Sequence, residues 1–198
     1  MPSLNHFRTQ VKLFEELAGE RVLVRPYRVE DAEALQAAVA ESREHIRPWL
    51  PFADAHQAIE ESRDFIARKT AEWILRETEL GTAIFLRENG AYLGGLGLHI
   101  RNWELGYFEI GYWLRASAEG HGYMREAVSL LVEFAARDLL ASRLEIRCDA
   151  RNARSAAVAE SLGFKREAHL RNHMRATDGE IRDTLVFGLI PGDPAWPA

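Results

Sequence analysis

This sequence of 198 residues contains a single cysteine, Cys148, and no long apolar run. One thiol excludes an intramolecular disulfide, and the lack of about 18 consecutive apolar residues argues against a membrane span. The first residues, Met1 to Gln10, are polar and have no apolar core of signal-peptide length. We therefore expect a protein of the reducing cytoplasm with no membrane partner. No internal repeat or low-complexity segment is present.

Several familiar ligand signatures are also missing. No Gly-x-x-x-x-Gly-Lys-Ser/Thr segment occurs, which excludes a P-loop, and Arg125 stands where a dinucleotide fingerprint has its third glycine. The histidines show no metal-ligand spacing, so we expect no metal. The net charge of -5 argues against broad, sequence-independent binding of nucleic acid.

The composition that is present is that of a globular chain, with 47% hydrophobic and 28% charged residues. Its length fits one domain over residues 1–198. The proline-rich tail Pro191–Pro197 cannot continue a strand or helix, so the core is expected over about residues 20–190.

Periodicity predicts an α/β (or α+β) sandwich with a mixed sheet. Asp54 and Gln57 form a capping-box pattern before the second helix, Asn152 is a candidate N-cap for the last helix, and Asp178-Gly179 predicts the last hairpin turn. The predicted strands are Arg21–Pro26, Thr82–Arg87, Tyr92–Ile100, Tyr107–Leu114, Leu144–Cys148, Phe164–Leu170 and Arg182–Leu189. The predicted helices are Asp31–Ser42, Ala55–Arg76, a segment from the Gly122 turn to about Leu139, and Asn152–Leu162.

The most informative stretch is the polar turn after Tyr107–Leu114, in which Gly120 and Gly122 flank His121 before an apolar helix. Glycines let an anion approach the backbone closely, and the helix dipole favours negative charge at that point. The pattern predicts a diphosphate cradle built without lysine, and hence a ligand such as a coenzyme A derivative. The alternative is an ordinary strand-to-helix turn that uses glycine for its dihedral angles.

Four segments, which together span nearly all of the chain, resemble the GNAT superfamily of acetyl-CoA-dependent N-acetyltransferases. Glu109–Leu114 is similar to its central strand, and Glu119–Met124 to its acetyl-CoA turn, usually Gln/Arg-x-x-Gly-x-Gly/Ala. Asn152–Ser155 followed by Ser161–Phe164 is similar to its Asn-x-x-Ser…Gly-Phe motif, and Asp178–Asp183 to its closing hairpin.

A further segment, Arg47–Phe52, resembles the "RPWLPW" type of one GNAT subgroup, the RimJ/RimL-type ribosomal-protein N-terminal acetyltransferases. Two positions depart from the family turn, because Glu119 replaces Gln/Arg and Met124 replaces Gly/Ala. A carboxylate at position 119 should weaken diphosphate binding unless a neighbouring cation, such as Arg125 or His121, compensates.

The resemblance implies a GNAT-like central sheet of about seven strands, splayed in the middle and flanked by about four helices. The splayed strands would be Tyr107–Leu114 and Leu144–Cys148, which admit the pantetheine arm, and backbone N–H groups near Tyr112 and Trp113 would meet the thioester oxygen. The coenzyme-binding residues that it implies are Tyr112, Trp113, Leu114, Glu119, Gly120, His121, Gly122, Tyr123, Met124, Asn152 and Ser155.

The resemblance also implies two catalytic residues. Glu109 matches the base that takes the amine proton, through water, and Ser155 matches the group that donates a hydrogen bond to the leaving thiolate. Tyr112 and Tyr123 are reserve acids. The alternative for Glu109 is an ordinary surface glutamate of a strand. The alternative for Ser155 is a structural residue in the first turn of a capped helix. Cys148 could carry the acetyl group in an acyl-cysteine mechanism. The preferred interpretation is that it is an ordinary core residue.

The expected function is direct acetyl transfer from acetyl-CoA to a primary amine, by resemblance the N-terminus of a ribosomal protein. Trp49, Phe52 and Trp103 are candidates for the wall of the acceptor site. Two other hypotheses stay open: a small-molecule acetyltransferase acting on an antibiotic, polyamine or amino acid, and a non-catalytic acyl-CoA sensor, which the presence of Glu109 disfavours. Dimers are common in the subgroup, so the resemblance allows a homodimer.

Overall fold

The computed structural model of the protein describes residues 11–176 and 179–197, and eight strands within them form one sheet. Numbered in chain order, the strands are β1 Leu17–Ala18, β2 Val22–Pro26, β3 Glu79–Leu86, β4 Tyr92–Asn102, β5 Tyr107–Leu114, β6 Arg143–Asp149, β7 Lys165–Arg175 and β8 Ile181–Leu189. The predicted mixed sheet is confirmed. Its additional strand, β1, has only two residues, too few to show an alternating pattern.

The strands lie in the order β1-β2-β3-β4-β5-β6-β8-β7. Neighbouring strands are antiparallel except β5 and β6, which run parallel. A parallel pair needs a crossover connection, which the helix Tyr123–Arg137 supplies. The glycine turn therefore lies where β5 ends and the crossover helix begins.

Four α-helices in the described part of the chain cover the sheet, namely α1 Ala32–Ile46, α2 Ile59–Leu75, α3 Tyr123–Arg137 and α4 Ala153–Ser161. Side chains of a strand alternate between its two faces. Phe108 and Ile110 of β5 accordingly join the core under α3, together with Leu131. Trp113 joins a second apolar cluster on the other face, which contains Leu35 of α1. The two faces of β5 thus meet different helices.

The start of α2 differs from the prediction. Asp54 ends a 3-10 turn, Pro51–Asp54, instead of capping a helix, and α2 begins only at Ile59. Glu61 satisfies the backbone at this end, because its Oε2 accepts the N–H groups of Gln57 at 2.6 Å and of Ala58 at 3.0 Å. The capping box at Asp54 and Gln57 is therefore wrong, since the carboxylate that serves the helix end is Glu61.

The closing hairpin joins β7 and β8 around Gly179, whose φ of 86° is in the left-handed region that favours glycine. Asp178, predicted in the same turn, lies outside the described residues. In the part of the chain that the structure describes, no helix is long and apolar enough to cross a membrane.

Candidate active site

The gap between β5 and β6 is the central feature of the site. Their ladder consists of the pairs Tyr107–Arg143, Phe108–Leu144 and Glu109–Glu145. Beyond it the strands continue separately, β5 to Leu114 and β6 to Asp149. The implied splay of the two parallel strands is therefore present, and Glu109 lies at its closed end.

Glu109 lies on the face of β5 that also bears Trp113, with 14% of its side chain exposed. Its Oε2 accepts hydrogen bonds from Arg101 Nη2 at 2.8 Å and Nε at 3.1 Å, and Arg147 Nε lies 3.5 Å away. Two guanidinium groups thus lie against the carboxylate, and Arg147 is shared with Glu145, whose Oε1 accepts from its Nε at 2.5 Å. His99 of β4 is the register partner of Glu109, and sequence reasoning did not include it in the site.

Tyr112, Ser155 and Cys148 form a second polar group on the other face of β5. The Tyr112 hydroxyl donates to the Ser155 carbonyl oxygen at 3.0 Å and lies 3.1 Å from Ser155 Oγ. Asn152 Oδ1 accepts the Ser155 N–H at 3.1 Å, which confirms the predicted cap of α4. Burial raises the pKa of Tyr112 and of Cys148 above their ordinary values, against hydrogen bonds from Ser155. Both groups therefore keep their protons at neutral pH.

The turn before α3 has the geometry of an anion cradle. Gly120 and Gly122 have φ of 78° and 79°, and Gly122 is the N-cap of α3, with no side chain capping the helix. The first N–H groups of any α-helix have no intrahelical acceptor, and no N-cap side chain accepts them here. A Cβ added at Gly120 would meet no atom within 4 Å. The residues therefore fit a diphosphate held by main chain, with open space beside the turn.

Glu119, the unusual residue of this turn, is paired with side chains from two other elements. His45 Nε2, near the end of α1, lies 2.6 Å from Oε1, and Arg154 Nη1, in the first turn of α4, lies 3.3 Å from Oε2. Arg154 Nη1 also lies 3.2 Å from His45 Nε2, so Glu119, His45 and Arg154 form one polar cluster. His45 and Arg154, instead of the expected Arg125 or His121, are thus the basic partners of Glu119.

Helix α1 also holds the loop that precedes the glycine turn. Ser42 Oγ accepts the Ala116 N–H at 2.9 Å, and Glu41 Oε1 accepts the Ser117 N–H at 3.0 Å. Glu41 is also paired with Arg115, and the hydrogen bond from Arg115 lowers the pKa of Glu41 to about 2. These partners are 74 to 76 residues apart in the chain, so no local pattern could have indicated them.

The three aromatic residues expected at the acceptor site do not lie together. Phe52 packs against Trp113, with ring centroids 5.4 Å apart, on the face that bears Glu109. Trp49 is half-buried in the turn after α1. Trp103 packs on Phe108, with ring centroids 5.1 Å apart, and Phe108 precedes Trp113 by five residues of β5, or about 16 Å at about 3.3 Å per residue. Trp103 therefore belongs to the core at the closed end of the gap.

The remaining residues expected to bind coenzyme differ in burial and in what their side chains contact. Met124 is 6% exposed and packs in the core under α3, so its side chain faces away from the turn. Leu114 is partly buried against the same core. His121 stacks on Tyr123 with ring centroids 5.4 Å apart. Among the described residues, no group of three or more His, Cys, Asp or Glu side chains is arranged to hold a metal ion.

The fold thus combines a helix start without a side-chain cap and two parallel strands that part beyond a short ladder. A family model described as an acetyltransferase (GNAT) domain matches residues 21–165, well over half of the chain. The chain belongs to the GNAT acetyltransferases, and it is an acetyl-CoA-dependent N-acetyltransferase.

Known relatives extend over almost the whole chain. A putative ribosomal N-acetyltransferase of Bacillus subtilis (strain 168), YdaF, is 26% identical over 90% of this chain and 96% of its own length. A solved structure of RimL, a ribosomal L7/L12 alpha-N-protein acetyltransferase in complex with coenzyme A, has a TM-score of 0.82, with 22% identity over 89% of this chain and 98% of that one. The microcin C7 self-immunity acetyltransferase MccE, in complex with acetyl-CoA and AMP, has a TM-score of 0.81, with 20% identity over 87% of this chain and 93% of that one.

Proposed function

We propose that the protein acetylates the N-terminal α-amine of a protein by direct transfer from acetyl-CoA in a ternary complex. The observation that carries the proposal is the gap between β5 and β6, which begins at Glu109 and has Tyr112 beside Ser155 on its other face. A proton acceptor and hydrogen-bond donors thus flank the place where the two parallel strands part.

The coenzyme would be held by the turn and by the open edge of β5. Acetyl-CoA, when bound, supplies an activated acetyl thioester. The uncapped N–H groups at the start of α3 would bind its diphosphate. Backbone groups of β5 near Tyr112, Trp113 and Leu114, which β6 does not pair, would orient the pantetheine arm and the thioester oxygen. Asn152 and Ser155 would complete the binding surface from α4.

Glu109 would take the amine proton through a water molecule. A protein α-amine has a pKa of about 8 and a lysine about 10.4, so an α-amine loses its proton far more readily near neutral pH. A single water-relayed carboxylate suits that modest requirement. Arg101 and Arg147 would hold the carboxylate in position while it acts.

Ser155 would stabilise the leaving thiolate with a hydrogen bond from its hydroxyl. Tyr112, which contacts that hydroxyl at 3.1 Å, would orient it. Since burial raises the pKa of Tyr112, the phenol is a hydrogen-bond donor and a poor acid at neutral pH. The thiolate would therefore receive its final proton from solvent or from the relay that begins at the amine.

The acceptor is proposed to be a ribosomal protein N-terminus in the cytoplasm. Support comes from the relatives described as ribosomal N-acetyltransferases, YdaF and RimL. Phe52, packed against Trp113 on the face of β5 that also bears Glu109, would supply an apolar wall of the acceptor site, and Trp49 is three residues away in the chain. Trp103, at the other end of β5, is left out of this wall.

Mass spectrometry of products tests the proposal. Purified protein and acetyl-CoA are mixed with peptides that carry a free α-amine, with the same peptides blocked at the N-terminus but containing lysine, and with polyamines and amino acids. We expect acetylation of free α-amines, with ribosomal N-terminal sequences turned over fastest. Acetylation confined to small molecules would establish the small-molecule acetyltransferase instead. Coenzyme binding without any acetylated product would establish the sensor.

A further inference from the structure

Arg21, the residue immediately before β2, reaches the glycine turn from 100 residues away in the chain. Its Nη1 donates to the His121 carbonyl oxygen at 2.8 Å, and its Nε donates to Glu126 Oε2 at 2.9 Å. The guanidinium carbon also lies 5.2 Å from the centre of the Tyr123 ring. One half-exposed side chain thus contacts the turn and the first turn of α3 together.

Glu126 fixes the position from which Arg21 reaches the turn. Its Oε1 accepts the backbone N–H groups of Arg21 at 2.7 Å and of Val22 at 3.2 Å. The same carboxylate therefore ties both the backbone and the side chain of Arg21 to α3. Charge-assisted hydrogen bonds of this kind are shorter and stronger than neutral ones, so the guanidinium has little freedom to leave the His121 carbonyl.

The contact with His121 determines the direction of the following N–H group. The structure contains no cis peptide in its described residues, and in a trans peptide the carbonyl and the N–H point in opposite directions. With the His121 oxygen held by Arg21, the Gly122 N–H must point to the other side of the turn. Arg21 Nη2 also lies 3.5 Å from the place of a Cβ on Gly122, so the guanidinium covers one side of this glycine.

We propose that Arg21 is a positioning residue for coenzyme binding: it holds the His121–Gly122 peptide so that the Gly122 N–H faces the coenzyme diphosphate. The proposal rests on the assignment of Glu119–Met124 as the coenzyme turn. Glycines with positive φ are conformationally permissive, so a group outside the turn is needed to select one orientation of the peptide. Arg21 is that group, and the turn itself contains no lysine.

Calorimetric titration with coenzyme A tests the proposal in Arg21→Met and Arg21→Lys. Arg21→Met removes both side-chain hydrogen bonds, and we expect binding about tenfold weaker, the usual effect of losing a hydrogen bond to a charged group. Arg21→Lys keeps the charge but reaches only one partner, so an intermediate loss is expected. In steady state, the KM for acetyl-CoA should rise in both variants while kcat at saturating acetyl-CoA stays near that of the wild type.

Arg87→Met is the matched control, because Arg87 is an arginine of the same region that bonds the Gly19 carbonyl and does not contact the turn. Unchanged coenzyme affinity in Arg21→Met, or an equal loss in Arg87→Met, would overturn the proposal. So would a fall in kcat with an unchanged KM. Thermal unfolding identifies the folded variants, and Arg21→Lys carries the test if Arg21→Met does not fold.

Gly122→Val separates this proposal from the assignment of the turn. A β-branched residue at a φ of 79° is strained and obstructs the backbone, so coenzyme binding should be lost. If folded Gly122→Val binds coenzyme as the wild type does, the turn assignment fails, and the role of Arg21 with it. If Gly122→Val abolishes binding while Arg21→Met preserves it, only the role of Arg21 fails.

Discussion

Cys148 lies in the part of β6 that no longer pairs with β5, beside Ser155. Burial raises the pKa of its thiol, and the hydrogen bond from Ser155 only partly opposes that effect. Because the thiolate is the nucleophile, a raised pKa leaves little reactive sulfur at neutral pH. The residue is thus close to the proposed chemistry but poorly suited to carry an acetyl group.

Direct transfer predicts that Cys148→Ala keeps most of the activity. It also predicts that the wild-type protein, mixed with acetyl-CoA in the absence of acceptor, accumulates no acetyl group on Cys148. Intact-protein mass spectrometry followed by peptide mapping measures this. An acetyl-Cys148 species that passes its acetyl group to an added amine would establish an acyl-enzyme mechanism instead.

At the scale of elements, the proposed coenzyme turn, Glu119–Met124, is held from three directions. Helix α1 bonds the loop through Glu41 and Ser42 and reaches Glu119 through His45. Helix α4 reaches Glu119 through Arg154, and β2 reaches the turn through Arg21. The shape of the turn consequently depends on contacts between elements, in addition to its own glycines.

Glu119→Gln is expected to tighten coenzyme binding. The substitution removes a negative charge near the proposed diphosphate site and leaves Arg154 without its carboxylate partner. The gain should be about 0.5–1 kcal/mol, the size of a charge effect at a helix N-terminus, and it should shrink as salt is added. Titration calorimetry at low and high salt measures it.

Glu133→Gln, an exposed glutamate on the same helix but away from the turn, is the matched control for this charge change and should have no effect. Weaker binding in Glu119→Gln would show that the ion pairs with His45 and Arg154 shape the turn, and that this shaping matters more than the repulsion of the diphosphate.

Features set by neighbouring residues in the sequence could be predicted, whereas features set by contacts between distant residues could not. The strand Tyr107–Leu114 was predicted with its observed bounds, because its alternation and both flanking turns are local. The cap at Asn152 was also predicted from local residues. The basic partners of Glu119 and the contacts of Arg21 could not be predicted, since they join residues far apart in the chain.

The capping box was wrong because a local pattern competed with the surrounding structure. Asp54 and Gln57 match a capping box, yet Pro51 starts a 3-10 turn and the helix begins later. Trp103 is an aromatic residue of a loop, and its local sequence did not indicate that it packs against Phe108 at the far end of β5. Neither outcome is visible without knowing which elements are neighbours.

At the scale of the whole molecule, ion pairs make stability depend on pH. Hydrogen bonds from Arg115 lower the pKa of Glu41 from 4.5 to about 2. The pKa of Glu145 is also lowered, because hydrogen bonds from Arg143 and Arg147 outweigh burial. A carboxyl group with a lowered folded-state pKa stabilises the fold above its unfolded pKa and loses that contribution as pH falls.

We therefore expect the free energy of unfolding to fall as pH drops from about 4.5 toward 2, the interval between the ordinary and the folded-state pKa of Glu41. Glu41→Gln should be less stable than the wild type at neutral pH, and its stability should depend less on pH in this interval. Denaturant unfolding at a series of pH values measures both. Glu44→Gln, an exposed glutamate on the same helix, is the control and should behave as the wild type; an identical pH profile for Glu41→Gln would contradict the prediction.

The most direct measurement is a pH–rate profile of Glu109→Gln and Ser155→Ala, with a fixed α-amine acceptor and saturating acetyl-CoA. We predict that Glu109→Gln lowers kcat roughly 10²–10⁴-fold at neutral pH, with little change in coenzyme affinity. The loss should diminish as pH rises toward the pKa of the acceptor amine, where a base is no longer needed. Ser155→Ala should cost less, since a neutral hydrogen bond contributes only about 0.5–1.5 kcal/mol. Wild-type turnover by Glu109→Gln at pH 7 would contradict the assignment of Glu109 as the base, and His99, its register partner on β4, would be the next residue to test. A larger loss in Ser155→Ala than in Glu109→Gln would show that stabilisation of the thiolate, instead of deprotonation of the amine, limits the reaction.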